Sequence, residues 1–165
     1  MAGLIGNGVK ADELHARYRS ESDALIRQQP ILPGVVDYLD EARRLGLGLA
    51  IASSSPHSWV DTHLTRLGLF DRFQYIICAD EVSQRRTKPH PDLYLKALDA
   101  LGLCPDEVIA LEDSPNGILA AQRAGIFVVS IPNPLTALLK ADSADLSLKS
   151  LADMSLKELL ECRQI

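Results

Sequence analysis

The run Val108-Ile109-Ala110-Leu111 leads straight into two adjacent carboxylates, Glu112 and Asp113, and then into Ser114-Pro115-Asn116-Gly117. An unalternating apolar run reads as a strand covered on both faces, as in a parallel sheet. Acids at its carboxyl end stand where open α/β sheets bind ligands. Paired carboxylates there suit a hard cation such as Mg2+, which keeps waters and takes one or two protein oxygens. The plainer reading is that both acids serve the start of the next helix, where negative charge is favoured. A second cluster, Ser53-Ser54-Ser55, directly follows the apolar segment Leu47–Ala52. Hydroxyls and backbone N–H groups at a strand-to-helix turn make a cradle for an oxyanion. Ser55 is also placed to cap the helix opening at Pro56, which leaves Ser53 to be explained. The third cluster is Thr87-Lys88-Pro89-His90-Pro91-Asp92, where two prolines stiffen the backbone around a lysine. A cation held in one place can neutralise phosphoryl oxygens, although most loop lysines are simply solvated.

These clusters need elements to position them, and the sequence supplies an alternation. A polar, helix-compatible stretch runs from about Lys10 to Gln28 and ends at Pro30. Helices are predicted from Pro33-Gly34 to Arg44, Pro56 to Leu67, Pro91 to Leu101 and Pro115 to Ala124. Gly46, Gly68, Gly102 and Gly125 follow them, and proline near the start with glycine past the end is the usual helix asymmetry. Strands are predicted at Leu47–Ala52, Tyr75–Ala79, Val108–Leu111 and Ile126–Ile131, with a short edge strand at Leu146–Leu148 before a last helix. Strands alternating with helices of this length imply βαβ units and a mostly parallel sheet.

At 165 residues, 47% hydrophobic and 24% charged, the chain fits one globular domain. Its net charge of −5 argues against nucleic acid and anionic membranes as partners. No apolar run approaches bilayer length, and no secretory leader pattern opens the chain. Cys78, Cys104 and Cys162 lie far apart without a Cys-x-x-Cys pair, as expected of reduced thiols in a cytoplasmic protein. His57 reads as a surface histidine within reach of a substrate. His15, His63 and His90 lack ligand spacing, Trp59 and Phe70 read as core, and Arg85-Arg86 add positive charge ahead of Lys88.

Taken in order, three patterns resemble the haloacid dehalogenase-like hydrolase superfamily, in its phosphatase and β-phosphoglucomutase-like branch. They are Ser53 after an apolar strand, Lys88-Pro89-x-Pro91-Asp92, and Leu111-Glu112-Asp113-Ser114-x-x-Gly117-x-x-Ala120-Ala121-x-x-Ala124-Gly125. Ala144-Asp145-Leu146 and Ser150-Leu151 resemble that family's edge strand and closing helix. The resemblance implies a Rossmann-like parallel sheet flanked by helices over residues 31–165, with residues 1–30 a remnant of a helical cap. It implies that Ser53 hydrogen-bonds the transferring phosphoryl group and that Lys88 balances charge on nucleophile and phosphate. Asp113, with Glu112 beside it, would bind Mg2+, while Ser54, Ser55 and Asn116 would contact substrate. Ser54-Ser55-Pro56-His57 and Asp113–Gly117 are most similar to phosphatases of sugar and sugar-alcohol phosphates, with a phosphosugar mutase as the alternative.

The chain also departs from the family pattern. The family's first motif, an apolar strand followed by Asp-x-Asp-x-Thr, supplies the nucleophile, and there is no Asp-x-Asp here. In the resembling topology that strand lies between those ending at Ser53 and Asp113. The sheet is therefore expected to show a gap there, to close by rearrangement, or to recruit a strand, with the unpaired edges open to a homodimer or a complementing chain. Without the nucleophile the chain alone is predicted inactive. A shortened or mis-started enzyme, a non-catalytic phospho-ligand or protein-binding module, and a split enzyme all satisfy this pattern. A response-regulator receiver also uses paired acids, a hydroxyl and Lys-Pro, but places its acids first.

Overall fold

In a computed structural model, residues 4–5, 9–83, 86–139 and 144–163 are described. The chain divides into two compact units, Met1–Ile31 and Leu32–Ile165. The first holds an antiparallel pair, β1 (Leu4–Ile5) and β2 (Val9–Lys10), followed by α1 (Ala11–Arg27). Sequence reading foresaw this helix but not the hairpin, whose two-residue strands are too short to display an alternation.

In the second unit the predicted order appears in full. It runs α2 (Val35–Leu45), β3 (Ala50–Ala52), α3 (His57–Arg66), β4 (Tyr75–Ile77), α4 (Asp92–Leu101) and β5 (Ile109–Glu112). It continues through α5 (Pro115–Arg123), β6 (Phe127–Ser130) and β7 (Leu146–Ser147) to α6 (Leu156–Arg163). Gly46 and Gly102 adopt φ of 70° and 68° just past α2 and α4 and donate to carbonyls of the last turns. This is the left-handed stop that only glycine takes without strain.

Parallel pairing produces two sheets rather than one. β3 pairs with β4 from Ala50↔Tyr75 to Ala52↔Ile77. Separately, β5 pairs with β6 from Ile109↔Phe127 to Glu112↔Ser130, and β6 pairs with β7. Among the described residues β3 and β5 share no hydrogen-bonded neighbour strand, so the pairing shows the first of the three expected outcomes, a gap. The helices bridge it on both faces. α4 sets Leu93 and Ala97 against Ile77 of β4, and Tyr94 and Leu98 into a cluster with Ala110, Ile118 and Val128, against which Ala52 of β3 also packs. On the other face Tyr38 and Ala42 of α2 meet Leu156 and Leu159 of α6 over Val129, with Leu49 and Ile109 alongside.

The alternation along β5 shows what the gap does. Ala110 and Glu112 are buried, while Leu111 is 42% exposed. Leu111 shares the face of Ile109, which a strand covered on both sides would bury. Trp59 and Phe70, read as core from the sequence, are 42% and 40% exposed. Only Val60 of α3 is buried, and Trp59 instead lies against His63 with ring centroids 4.3 Å apart.

Candidate functional site

The carboxyl ends of β3 and β5 carry the turns that sequence reading singled out. After β3, the Ser53 amide donates to the Ile77 carbonyl (2.9 Å), which extends the parallel ladder by one residue. Its hydroxyl accepts from the Ser55 amide at 3.1 Å, folding the three serines into a tight turn. The carbonyl of Ser55 accepts from the Ala79 amide at 3.1 Å, tying this turn to the one after β4. Ser54 is exposed, and its hydroxyl accepts from the backbone N–H of Lys88 at 3.3 Å.

Lys88 precedes a cis bond to Pro89. Its loop is clamped from α5 by Arg123, whose Nη1 donates to the Pro89 carbonyl at 2.7 Å. The Lys88 Nζ donates to Glu112 Oε1 and sits 5.1 Å from the ring centroid of Tyr94. Tyr94 Oη donates to that same carboxylate oxygen. Burial, then the negative charge of Glu112, push the Tyr94 hydroxyl well above its usual range, so it remains a donor. The side chains of Lys88 and Glu112 are 14% and 5% exposed. A buried carboxylate is tolerated when paired and hydrogen-bonded, and here a lysine and a phenol meet it together.

The two adjacent acids therefore diverge. Glu112 continues the inward face of Ala110 and meets α4, whereas Asp113 lies beyond the strand and is exposed. Asn133, after β6, donates from Nδ2 to Asp113 Oδ2 at 2.7 Å, and its own Oδ1 accepts from the amides of Leu135 and Thr136. Ser114 caps α5, accepting from Gly117 N at 3.2 Å, with Pro115 at the first helical position. Gly117 is buried, and a Cβ there would overlap the Glu112 carboxylate. The absence of a side chain at residue 117 is thus what lets Glu112 turn inward. Asn116 is exposed in the first turn of α5.

The donor set fits a hard divalent cation through Asp113. Asn133 fixes one of its oxygens in place, and an exposed carboxylate with waters is a sufficient protein contribution for Mg2+. Glu112 has its Oε1 committed to Lys88 and Tyr94.

Residues 5–131 match the haloacid dehalogenase-like hydrolase family. The chain belongs to that family. It is 42% identical over 157 residues to a putative phosphatase, YhcW, of Bacillus subtilis, covering 95% of this chain and 70% of the relative. It is 32% identical over 161 residues to hexitol phosphatase B of Escherichia coli, covering 93% and 69%. Among solved structures, CbbY from Rhodobacter sphaeroides in complex with phosphate superposes with a TM-score of 0.77 at 31% identity, over 90% of this chain and 68% of that one. These α/β relatives share the parallel sheets flanked by helices, so the fold expected from the sequence holds.

Within this family member, direct bonds join the turns of two predicted clusters and the end of the third: Ser54 to Lys88, and Lys88 to Glu112. Asn133 and Tyr94 belong to the same constellation, and sequence reading missed both. Asn133 stands in Pro132-Asn133-Pro134 after a predicted strand, which is turn chemistry at a strand's carboxyl end. Tyr94 looked like any core aromatic of an amphipathic helix. Of the two arginines ahead of Lys88, Arg85 lies outside the described residues. Arg86 pairs with Asp92 (Nε to Oδ1, 2.7 Å), holding that carboxyl below its usual range.

Proposed function

We propose that this chain forms the phosphoryl-binding part of a phosphatase of small phosphorylated metabolites, sugar or sugar-alcohol phosphates, with Mg2+ as cofactor. The bonded series Ser54–Lys88–Glu112, with Asp113 beside it at the open slot between β3 and β5, carries this reading. Names of relatives support the substrate class: one acts on hexitol phosphates and another on validoxylamine A 7'-phosphate. Bound Mg2+ would supply charge stabilisation for phosphoryl oxygens, and Asp113, with Glu112 beside it in the sequence, would hold it. The Ser53 hydroxyl, whose oxygen accepts from the Ser55 amide, would donate its own hydrogen to a phosphoryl oxygen. Lys88, kept in place by Glu112 and the Tyr94 ring, would face the phosphate as a fixed positive charge that needs no reorganisation. Ser54, Ser55 and Asn116 would contact the remainder of the substrate.

The covalent step needs a carboxylate nucleophile, and we place its source in a strand entering the slot beside Leu111. Residues 1–30 are read as a remnant of a helical cap, and the setting as cytoplasmic. The unfilled slot itself favours a second reading, in which the chain by itself binds a phosphorylated ligand without turnover. Both are tested by measuring phosphate release from hexitol phosphates with Mg2+, alone and with an added peptide of an apolar strand ending in Asp-x-Asp-x-Thr. The chain alone should be inactive, and the peptide should restore turnover that is lost with Asp113→Ala. Complementation that produces no turnover leaves the binding reading and refutes the phosphatase one. Repurified chain that turns over alone and loses activity with Asp113→Ala refutes the need for the strand.

A further inference from the structure

Away from the phosphoryl site, three residues of different donor chemistry converge where the turn after β4 meets the start of α3. The ligating atoms of His57, Cys78 and Asp80 all lie within 4.8 Å of one another. Cys78 is fully buried, His57 is half-buried and Asp80 is exposed. Both ring nitrogens of His57 face carboxylates, with Nε2 at 3.0 Å from Glu81 Oε1 and Nδ1 at 3.4 Å from Asp61 Oδ1. A neutral imidazole has only one N–H to offer, so one of those contacts sets a lone pair against an oxygen unless a positive charge is present. The Asp80 carboxylate accepts from the His57 amide at 3.2 and 3.3 Å. Glu81 Oε1 also accepts from the Cys78 amide at 2.9 Å. One imidazole, one thiol and three carboxylates thus share a single corner of the fold.

We propose that His57, Cys78 and Asp80 form a second metal site for a borderline divalent ion such as Zn2+, flanked by Asp61 and Glu81. Nitrogen and sulfur donors distinguish it from the carboxylate oxygens of Asp113 and select zinc over magnesium. Donors around a tetrahedral zinc stand roughly 3.5 Å apart. Closing the trio therefore takes about an ångström of adjustment, which the exposed Asp80 side chain can supply. Burial, then Asp80, Asp61 and Glu81, push the Cys78 thiol up to about 11. Ligation breaks its S–H bond, forms the metal–sulfur bond and releases the proton to solvent. Because the Ser55 carbonyl is bonded to Ala79, a metal here would fasten the turn after β4 directly behind the serine turn.

Cobalt is the direct probe. In a Cys104→Ser/Cys162→Ser background stripped of metal, Co2+ should raise a thiolate charge-transfer band in the near ultraviolet that saturates at one ion per chain. Zn2+ should displace it and a large excess of Mg2+ should not. Cys78→Ser should remove the band. His57→Gln and Asp80→Asn, at less buried positions that spare the core, should weaken Co2+ binding at least tenfold. A spectrum without the band, or a band that survives His57→Gln and Asp80→Asn at unchanged affinity, overturns the proposal.

Discussion

Gly117→Ala sets two physical effects against each other. In a helix interior, alanine in place of glycine normally stabilises by ~0.5–1 kcal/mol. Here the added Cβ would lie 2.5 Å from Glu112 Oε1 and closer still to Oε2. Glu112 has almost no exposed surface into which to retreat. It must swing away from Lys88 and Tyr94, breaking a buried ion pair, which costs ~3–5 kcal/mol. The net loss is about 3 kcal/mol, or a fall of roughly 10 °C in melting temperature at ~2–4 °C per kcal/mol for a chain of this size. Urea and thermal unfolding of the variant measure it. The reasoning also requires a coupling: on a Glu112→Ala background the same substitution has nothing to strike and should be neutral or mildly stabilising. If Gly117→Ala is as stable as the parent, or equally destabilising with and without Glu112, the inward carboxylate is not what residue 117 accommodates.

Tyr94→Phe removes one of two donors to buried Glu112 Oε1 and should cost about 1–2 kcal/mol in urea unfolding, with no change in far-UV signal. Leu111→Ala should cost no more than about 1 kcal/mol, well under the ~2–5 kcal/mol of a filled core site, because the residue faces the slot. His57 has its folded pKa raised above 6.5, first by the hydrogen bond to Glu81 and then by Asp61. Its protonated form is therefore favoured by folding, and that stability is complete below pH 6.5 and lost as pH rises through the folded value. Metal-free His57→Gln should be less stable than the parent at pH 5.5, with the difference shrinking towards pH 9.

Much of the fold was legible because proline and glycine punctuate it. Gly46 and Gly102 stop helices where the sequence places them, and β5 and β6 fall within one residue of the apolar runs. The β1–β2 hairpin was not read, though Gly6-Asn7-Gly8 between its strands contains the Asn-Gly hairpin signal. Trp59 and Phe70 misled because aromatic character alone does not say which helix face is covered. At the site, the order of Ser53, Lys88 and Asp113 was plain, since Ser53 and Asp113 each follow an apolar strand and Lys88 stands directly before Pro89 and Pro91. The different fates of Glu112 and Asp113 were not drawn from the sequence, yet period two along β5 contains them. Glu112 shares the face of Ala110 and so meets α4, whereas Asp113 lies past the strand. The Asn133 contact depends on how β6 pairs with β5, which only the folded chain displays.

We propose that the turns after β3 and β5 and the Lys88 loop make one preformed phosphate site. The most direct measurement is the melting shift of the chain in about 10 mM phosphate with Mg2+, compared with the same shift in Lys88→Met and in Asp113→Ala. A site with a dissociation constant of ~1 mM would stabilise the chain by about 1.4 kcal/mol, a rise of roughly 3–6 °C. The parent should show that rise, both variants should lose it, and little of it should remain without Mg2+. Equal shifts in parent and variants, or none in any of them, would contradict it.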